Sequence, residues 1–190
     1  MNRKHLHFGL IIFFVFALSC NNSTHEQIFR QYINGFNSGN YELIDKIVDD
    51  SIKIFEGDYQ ITSSKQELRT HFEWDKVFKP KYAINKIIAI NDNQSEFIIS
   101  KHCQRIEYLH DTAIVYKIVV IFNNEKIQEI KTNDYLIFDF EKWQNRRDTL
   151  VKWIDIHYPD LNNFINEQTQ EGANNYLKAI ELFRNQNAEK

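Results

Sequence analysis

The stretch from Lys81 to Phe138, KYAINKIIAINDNQSEFIISKHCQRIEYLHDTAIVYKIVVIFNNEKIQEIKTNDYLIF, decides the fold of this chain. It divides into four segments rich in β-branched and aromatic residues, Lys81–Ile90, Glu96–Leu109, Thr112–Phe122 and Lys126–Phe138, and each is predicted as a strand. Asn91-Asp92-Asn93, His110-Asp111 and Asn123-Asn124 separate them, all turn-forming residue types. Gaps this short leave no room for a crossover helix, so consecutive strands run antiparallel as a meander. Strands as long as the second, 14 residues, twist and coil, which predicts a strongly curled sheet.

Helical periodicity flanks the strands on both sides. Upstream, Ile28, Phe29, Tyr32, Ile33 and Phe36 form one stripe of a helix that Asn37-Ser38-Gly39 stops. Asn40 caps a second helix, with Leu43, Ile44, Ile47 and Val48 on its apolar face and Asp49-Asp50 at its end. Ser51–Glu56 alternates as a short strand before a Gly57-Asp58 turn. Ser64-x-x-Glu67 is a capping box that opens a third helix, with Leu68, Phe72 and Trp74, fading before Pro80. Downstream, three helices are predicted: one from Trp143 through Leu150, Val151 and Ile154 to Pro159, one starting at Leu161, Phe164 and Ile165, and one beyond Gly172 with Tyr176, Leu177, Ile180 and Phe183. Their aromatics either pad the outside of the sheet or close its open end as a lid or partner surface, and helical spacing favours padding.

The N-terminus obeys another logic. Arg3 and Lys4 stand with no acid in residues 2–7, and Phe8–Leu18 is an apolar run of 11 residues with one glycine. A spanning helix needs ~20 apolar residues, so this run fits the core of a secretory signal. Ala17-Leu18-Ser19 before Cys20 is similar to a lipobox, although that motif prefers a larger aliphatic at Ala17 and a small residue at Leu18. Ala17-x-Ser19 also suits an ordinary signal peptidase. The predicted layout is a signal peptide over residues 1–19, a lipid-anchored polar tether over 20–24, a compact domain over 25–138 and a helical extension over 139–190. The expected location is the bacterial cell envelope, facing the periplasm, with membrane attachment through lipid on Cys20, or secretion if Cys20 is unmodified.

With Cys20 acylated, Cys103 is the one remaining thiol, so no internal disulfide forms and the fold stands on its hydrophobic core. Residues 20–190 are enough for one such core. Losing Arg3 and Lys4 leaves 21 basic against 26 acidic side chains, a net charge of −5, which gives no basic footprint for nucleic acid or anionic lipid.

Helices followed by a curled four-strand meander follow the element order of the cone-shaped fold of nuclear transport factor 2 (NTF2-like). Tyr32-x-x-x-Phe36-Asn37-Ser38-Gly39-Asn40-x-x-x-Leu43, then Asp49-Asp50, resembles the first-helix signature of the SnoaL-like branch. Ile121-Phe122-Asn123-Asn124-Glu125-Lys126-Ile127 with Glu129-Ile130 resembles the hairpin before that branch's last strand. The resemblance covers roughly residues 24–138 and implies an α+β cone: N-terminal helices packed on a curled antiparallel sheet, with a pocket at the open end. It implies no single activity, since the superfamily holds isomerases, dehydratases, polyketide cyclases and non-catalytic binding or dimerising modules.

Enzymes of this fold, by that resemblance, move a proton next to a carbonyl with a pocket carboxylate or histidine. His71 and Asp75, four apart on the third helix, share a face, and Trp74 is a candidate aromatic wall. Either His71 is a general base that Asp75 orients, or the two are an ordinary surface pair, which the spacing alone favours. On the second strand, Phe97, Ile99, Lys101, Cys103, Arg105 and Glu107 alternate onto one face, apolar first and polar later. That puts Lys101 and Arg105, with Tyr116 on the next strand, either at a pocket mouth as holders of an anionic group or on wet sheet surface. His102 and Cys103 point to opposite faces and cannot share a metal ion, and neither a metal nor a cofactor is expected. No Gly-rich phosphate loop, G-x-S-x-G or H-E-x-x-H occurs.

The leading functional reading is a lipid-anchored, non-catalytic module that binds a small, partly apolar ligand or a protein partner. An acid–base isomerase or lyase of the polyketide-cyclase or ketosteroid-isomerase type, acting at the same pocket, is the rival. A homodimeric scaffold paired through the outer sheet face is the third.

Overall fold

The computed structural model describes residues 17–161 and 163–188. Most of the predicted signal over residues 1–19 falls outside the described residues, as does the Cys20 side chain. The elements follow one another as α1 (Ala17–Ser38), α2 (Tyr41–Asp45), β1 (Val48–Glu56), β2 (Tyr59–Thr62), α3 (Lys65–Val77), β3 (Lys81–Asn91), β4 (Gln94–His102), α4 (Gln104–His110), β5 (Ile114–Asn123), β6 (Lys126–Ile137), α5 (Phe140–His157) and α6 (Gln170–Ala188). No helix among the described residues is long and apolar enough to cross a membrane.

The strands form one curled sheet in the order β2-β1-β6-β5-β4-β3. The expected antiparallel meander is β3 to β6. Beyond it, β1 joins β6 in parallel and β2 folds back on β1, so the sheet is mixed. Gly57 makes the β1–β2 turn at φ +58, a conformation that costs glycine nothing.

Several elements differ from the sequence reading. The second meander strand stops at His102, because Cys103 caps a helix with its sulfur accepting from the Ile106 N–H at 3.4 Å. The Gln104 N–H donates to the Phe78 carbonyl, which pulls the chain off the sheet and onto α3. The predicted second helix ends at Asp45, and Val48 already belongs to β1. β2 was not foreseen. Leu161, Phe164 and Ile165 lie in a 3-10 turn and a loop rather than a helix, and Gly172 falls inside α6.

Helices α1, α2 and α3 pack into the concave side of the sheet around a core that includes Phe29, Phe36, Ile44, Phe72, Phe97 and Ile118. Phe29 stacks on Phe97 at 4.1 Å and Phe36 meets Phe72 edge-on at 5.2 Å. Asn37, in the Asn-Ser-Gly stop signal, does more than end α1. Its amide donates to the Tyr82 carbonyl at 2.9 Å and accepts from the Tyr82 N–H at 2.7 Å, fastening the helix end to β3. Ser64 caps α3 through the Glu67 N–H, while the Glu67 carboxylate reaches back to Ser63 at 2.6 Å, a one-residue variant of the capping box.

Gly35 permits the close approach of α1 to α2: a Cβ there would lie 2.4 Å from Ile44 Cγ1. Gly35→Ala is therefore expected to destabilise the protein by about 1–3 kcal/mol through overpacking, although alanine normally favours a helix interior. Urea unfolding checks it, and an unchanged or raised midpoint would refute the contact.

The C-terminal helices do not pad the outer face of the sheet, as their aromatic spacing favoured. They pack on α3 and α4 and build a second core from Trp74, Phe78, Ile106 and Leu109 with Leu150 and Tyr176. Asp111 ties α4 to α5 through Arg146 and through Lys142 at 3.2 Å. Buried His110 links the same region, accepting from the Asp139 N–H at Nε2.

Candidate functional site

A cavity of about 470 Å³ lies where the two cores meet. Phe29 and Phe36 of α1, Ile99 and Tyr116 of the sheet, Ile106 of α4 and Trp143 of α5 are among its walls. A shallower cleft of about 410 Å³ lies between α4, α5 and α6, but there Arg146 is bound to Asp111.

His71 and Asp75, expected to be an ordinary surface pair, are drawn inward. Asp75 is fully buried at the C-terminal end of α3. Lys101 Nζ donates to its Oδ1 at 2.6 Å, and the Tyr82 hydroxyl donates to Oδ2 at 2.9 Å. The strand register explains the trio, because Tyr82 stands directly opposite Lys101 in the β3–β4 ladder. Lys101 Nζ also lies 4.9 Å from the Tyr82 ring centroid. Burial pushes the Asp75 carboxyl up, but the Lys101 ammonium and His71 beside it, with the two hydrogen bonds, hold it below the usual carboxylate range. Burial and Asp75 together hold the Tyr82 phenol well above its ordinary value.

His71 lines the cavity, and its ring lies 5.6 Å from that of Trp74. Its Nδ1 is shielded without a hydrogen-bond partner. Burial lowers its pKa to about 4 despite the pull of Asp75, and the cations Lys101 and Arg105 add to the lowering. At neutral pH the ring is uncharged. No hydrogen bond joins His71 to Asp75: the carboxylate accepts from Lys101 and Tyr82, and His71 Nδ1 is without a partner.

Lys101 and Arg105 both reach the cavity, by different routes. Alternation puts Lys101 on the face of Phe97 and Ile99 and leaves pocket mouth and wet surface both open; in the structure it stands on the cavity wall. Arg105 is not on that strand: it comes from the first turn of α4, against Trp74. Tyr116, opposite Ile99 in the register, completes the group, and burial and Asp75 keep its phenol far above the usual range. His102 points away from Lys101 along the strand, and Cys103 is a buried cap. No group of three His, Cys, Asp or Glu side chains among the described residues could hold a metal ion. Tyr82, Glu56 and Arg147 also line the cavity without having been singled out. Only Tyr82 had a legible signal, its place at the start of a strand facing Lys101.

No family model matches the chain, and no curated protein matches it either. Solved structures do. The structure of Bal32a from a soil-derived mobile gene cassette is 12% identical, with a TM-score of 0.53, covering 66% of this chain and 98% of that one. A protein of unknown function with a cystatin-like fold from Methylobium petroleophilum PM1 is 12% identical, with a TM-score of 0.52, covering 63% and 80%. An NTF2-like protein of unknown function from Cytophaga hutchinsonii ATCC 33406 is 12% identical, with a TM-score of 0.47, covering 59% and 88%. At these identities the two structures with TM-scores above 0.5 share the fold alone with this chain, and one of them is described as cystatin-like.

Proposed function

We propose that this chain is an exported module, held at the cell envelope by lipid on Cys20, whose cone binds a small, partly apolar molecule without transforming it. The observation that carries this reading is the cavity of about 470 Å³ walled mainly by aromatic and aliphatic side chains with a few converging polar groups. Small-molecule sites span roughly 300–1,000 Å³ with that kind of lining.

The polar groups favour binding over proton transfer. The Asp75 carboxylate is fully buried behind Lys101 and Tyr82, and its pKa is held below the usual carboxylate range, which makes it a poor base for a ligand in the cavity. His71, with a pKa of about 4, is a weak base, whereas general bases work best with a pKa near the working pH. The rival acid–base reading keeps one observation in its favour: an uncharged His71 stands on the cavity wall with Nδ1 unpartnered. The scaffold reading has less support, because the outer sheet face sets Glu96 and Lys117, an ion pair at 3.7 Å, among its aliphatic residues.

Native mass spectrometry of the protein purified from its own envelope tests the proposal. The expected spectrum shows a polypeptide from Cys20 carrying acyl mass, with a non-covalent small-molecule adduct that leaves on collisional activation. Repeated isolation of the bare, unlipidated chain without adduct would sink it.

A further inference from the structure

The binding reading above leaves the chemistry of the ligand open, and the polar atoms of the cavity narrow it. Buried polar atoms in folded proteins are almost always hydrogen-bonded. Three side-chain atoms among the described residues are buried without a partner, and two of them, His71 Nδ1 and Arg105 Nε, belong to residues of this one cavity. His71 and Arg105 pack against the same indole, that of Trp74.

The charges converge on the same place. Around the cavity, Lys101 is paired with Asp75, Arg147 with Asp148 at 2.8 Å, and Glu56 accepts from the Tyr135 hydroxyl. No ion pair among the described residues involves Arg105. Its guanidinium carbon instead lies 4.6 Å from the ring centroid of Trp74, 5.4 Å from Phe78, 5.3 Å from Trp143 and 5.9 Å from Tyr176. Aromatic faces attract a cation and hold it in place, but they supply neither a counter-charge nor hydrogen-bond acceptors. A partly buried cation held in this way has its electrostatic partner missing. Trp143 and Tyr176 belong to α5 and α6, so the C-terminal extension builds half of the clamp.

We infer that Arg105 is the anion subsite of the cone, and that the ligand is a carboxylate with an apolar body. The planar guanidinium donates to the carboxylate oxygens as a fork, and the aromatic clamp sets its orientation in advance. The apolar part of the ligand then lies along Phe29, Phe36 and Ile99. Lys101, which alternation puts on the same face as Arg105, is already neutralised by Asp75 and contributes no free charge.

Calorimetric titration of the full chain with three probes of one shape tests this: 4-phenylbutyrate, 4-phenylbutan-1-ol and 4-phenylbutylammonium. The carboxylate is expected to bind at least about tenfold tighter than the alcohol, as a hydrogen bond to a charged group warrants, with the ammonium weakest. Arg105→Gln is expected to erase the gap between acid and alcohol, and Arg105→Lys to keep part of it. If Arg105→Gln does not fold, the ranking on the natural chain decides alone. Acid and alcohol binding equally would overturn the anion subsite while leaving the apolar cavity as a binding site. Binding of none of the three would overturn both.

Discussion

Asp75→Ala is expected to lower the unfolding free energy by about 3–5 kcal/mol at neutral pH, the range typical when one partner of a buried ion pair is removed. The Lys101 side chain is only 13% exposed, and its ammonium lies 2.6 Å from a carboxylate that is fully buried. Removing the carboxylate leaves that ammonium and the Tyr82 hydroxyl without their acceptor, inside a wall of aromatic rings. The loss is thus chiefly an uncompensated desolvation, not a lost Coulomb attraction. It follows that Asp75→Ala with Lys101→Met recovers most of the stability, since the double variant leaves no buried charge behind. Urea unfolding of the natural chain, the single and the double variant measures this directly. A single variant within about 1 kcal/mol of the natural chain, or a double variant no better than the single, contradicts the assignment.

The second large effect is on the pH dependence of stability. His71 titrates near 6.5 when unfolded and about 4 when folded, because burial disfavours its charged form. Between those values the unfolded state binds the extra proton, so stability rises with pH through this window and is lost as pH falls. The loss from His71 amounts to about 2.5 kcal/mol between roughly pH 7.5 and pH 4.5. His71→Gln is expected to remove most of that slope. Buried His25, stacked on Phe122, has its pKa lowered by burial despite Asp92 and acts in the same direction. Comparing His71→Gln with His25→Gln separates the two. Asp75 acts elsewhere: with a folded pKa below the usual value, its contribution is present above about pH 4 and lost only below it. Equal slopes for the natural chain and His71→Gln would show that the ring is not buried in its neutral form.

Local patterns carried most of the fold. Turn residues at Asn91-Asp92-Asn93 and Asn123-Asn124 delimit real turns, and the strand alternation that put Phe97, Ile99 and Lys101 on one face holds as far as His102. The misreading began one residue later. Cys103-Gln104-Arg105-Ile106 alternates as well as any strand, and nothing local announces that a sulfur will cap a helix there or that Phe78 will accept the Gln104 N–H. Those partners are distant or unusual, and β-propensity without its neighbours does not distinguish the outcomes. His71 and Asp75 illustrate the same limit. Their four-residue spacing puts them on one helical face, but whether that face meets water or the cavity depends on where Lys101 and Tyr82 arrive from the sheet.

The sequence by itself determined the helix–meander order, the curl of the sheet, the Asn40 and Ser64 caps and the expectation of an N-terminal export signal, because each is written in contiguous residues whose propensities and periods act over a few ångströms. Only the tertiary structure decided that Lys101 is neutralised while Arg105 is not, that His71 faces the cavity uncharged, and that the C-terminal helices clamp a guanidinium instead of padding the sheet. Charge pairing and burial are properties of what surrounds an atom in space. In this chain those surroundings are assembled from α3, β3, β4, α4, α5 and α6, segments that meet only once the cone has closed.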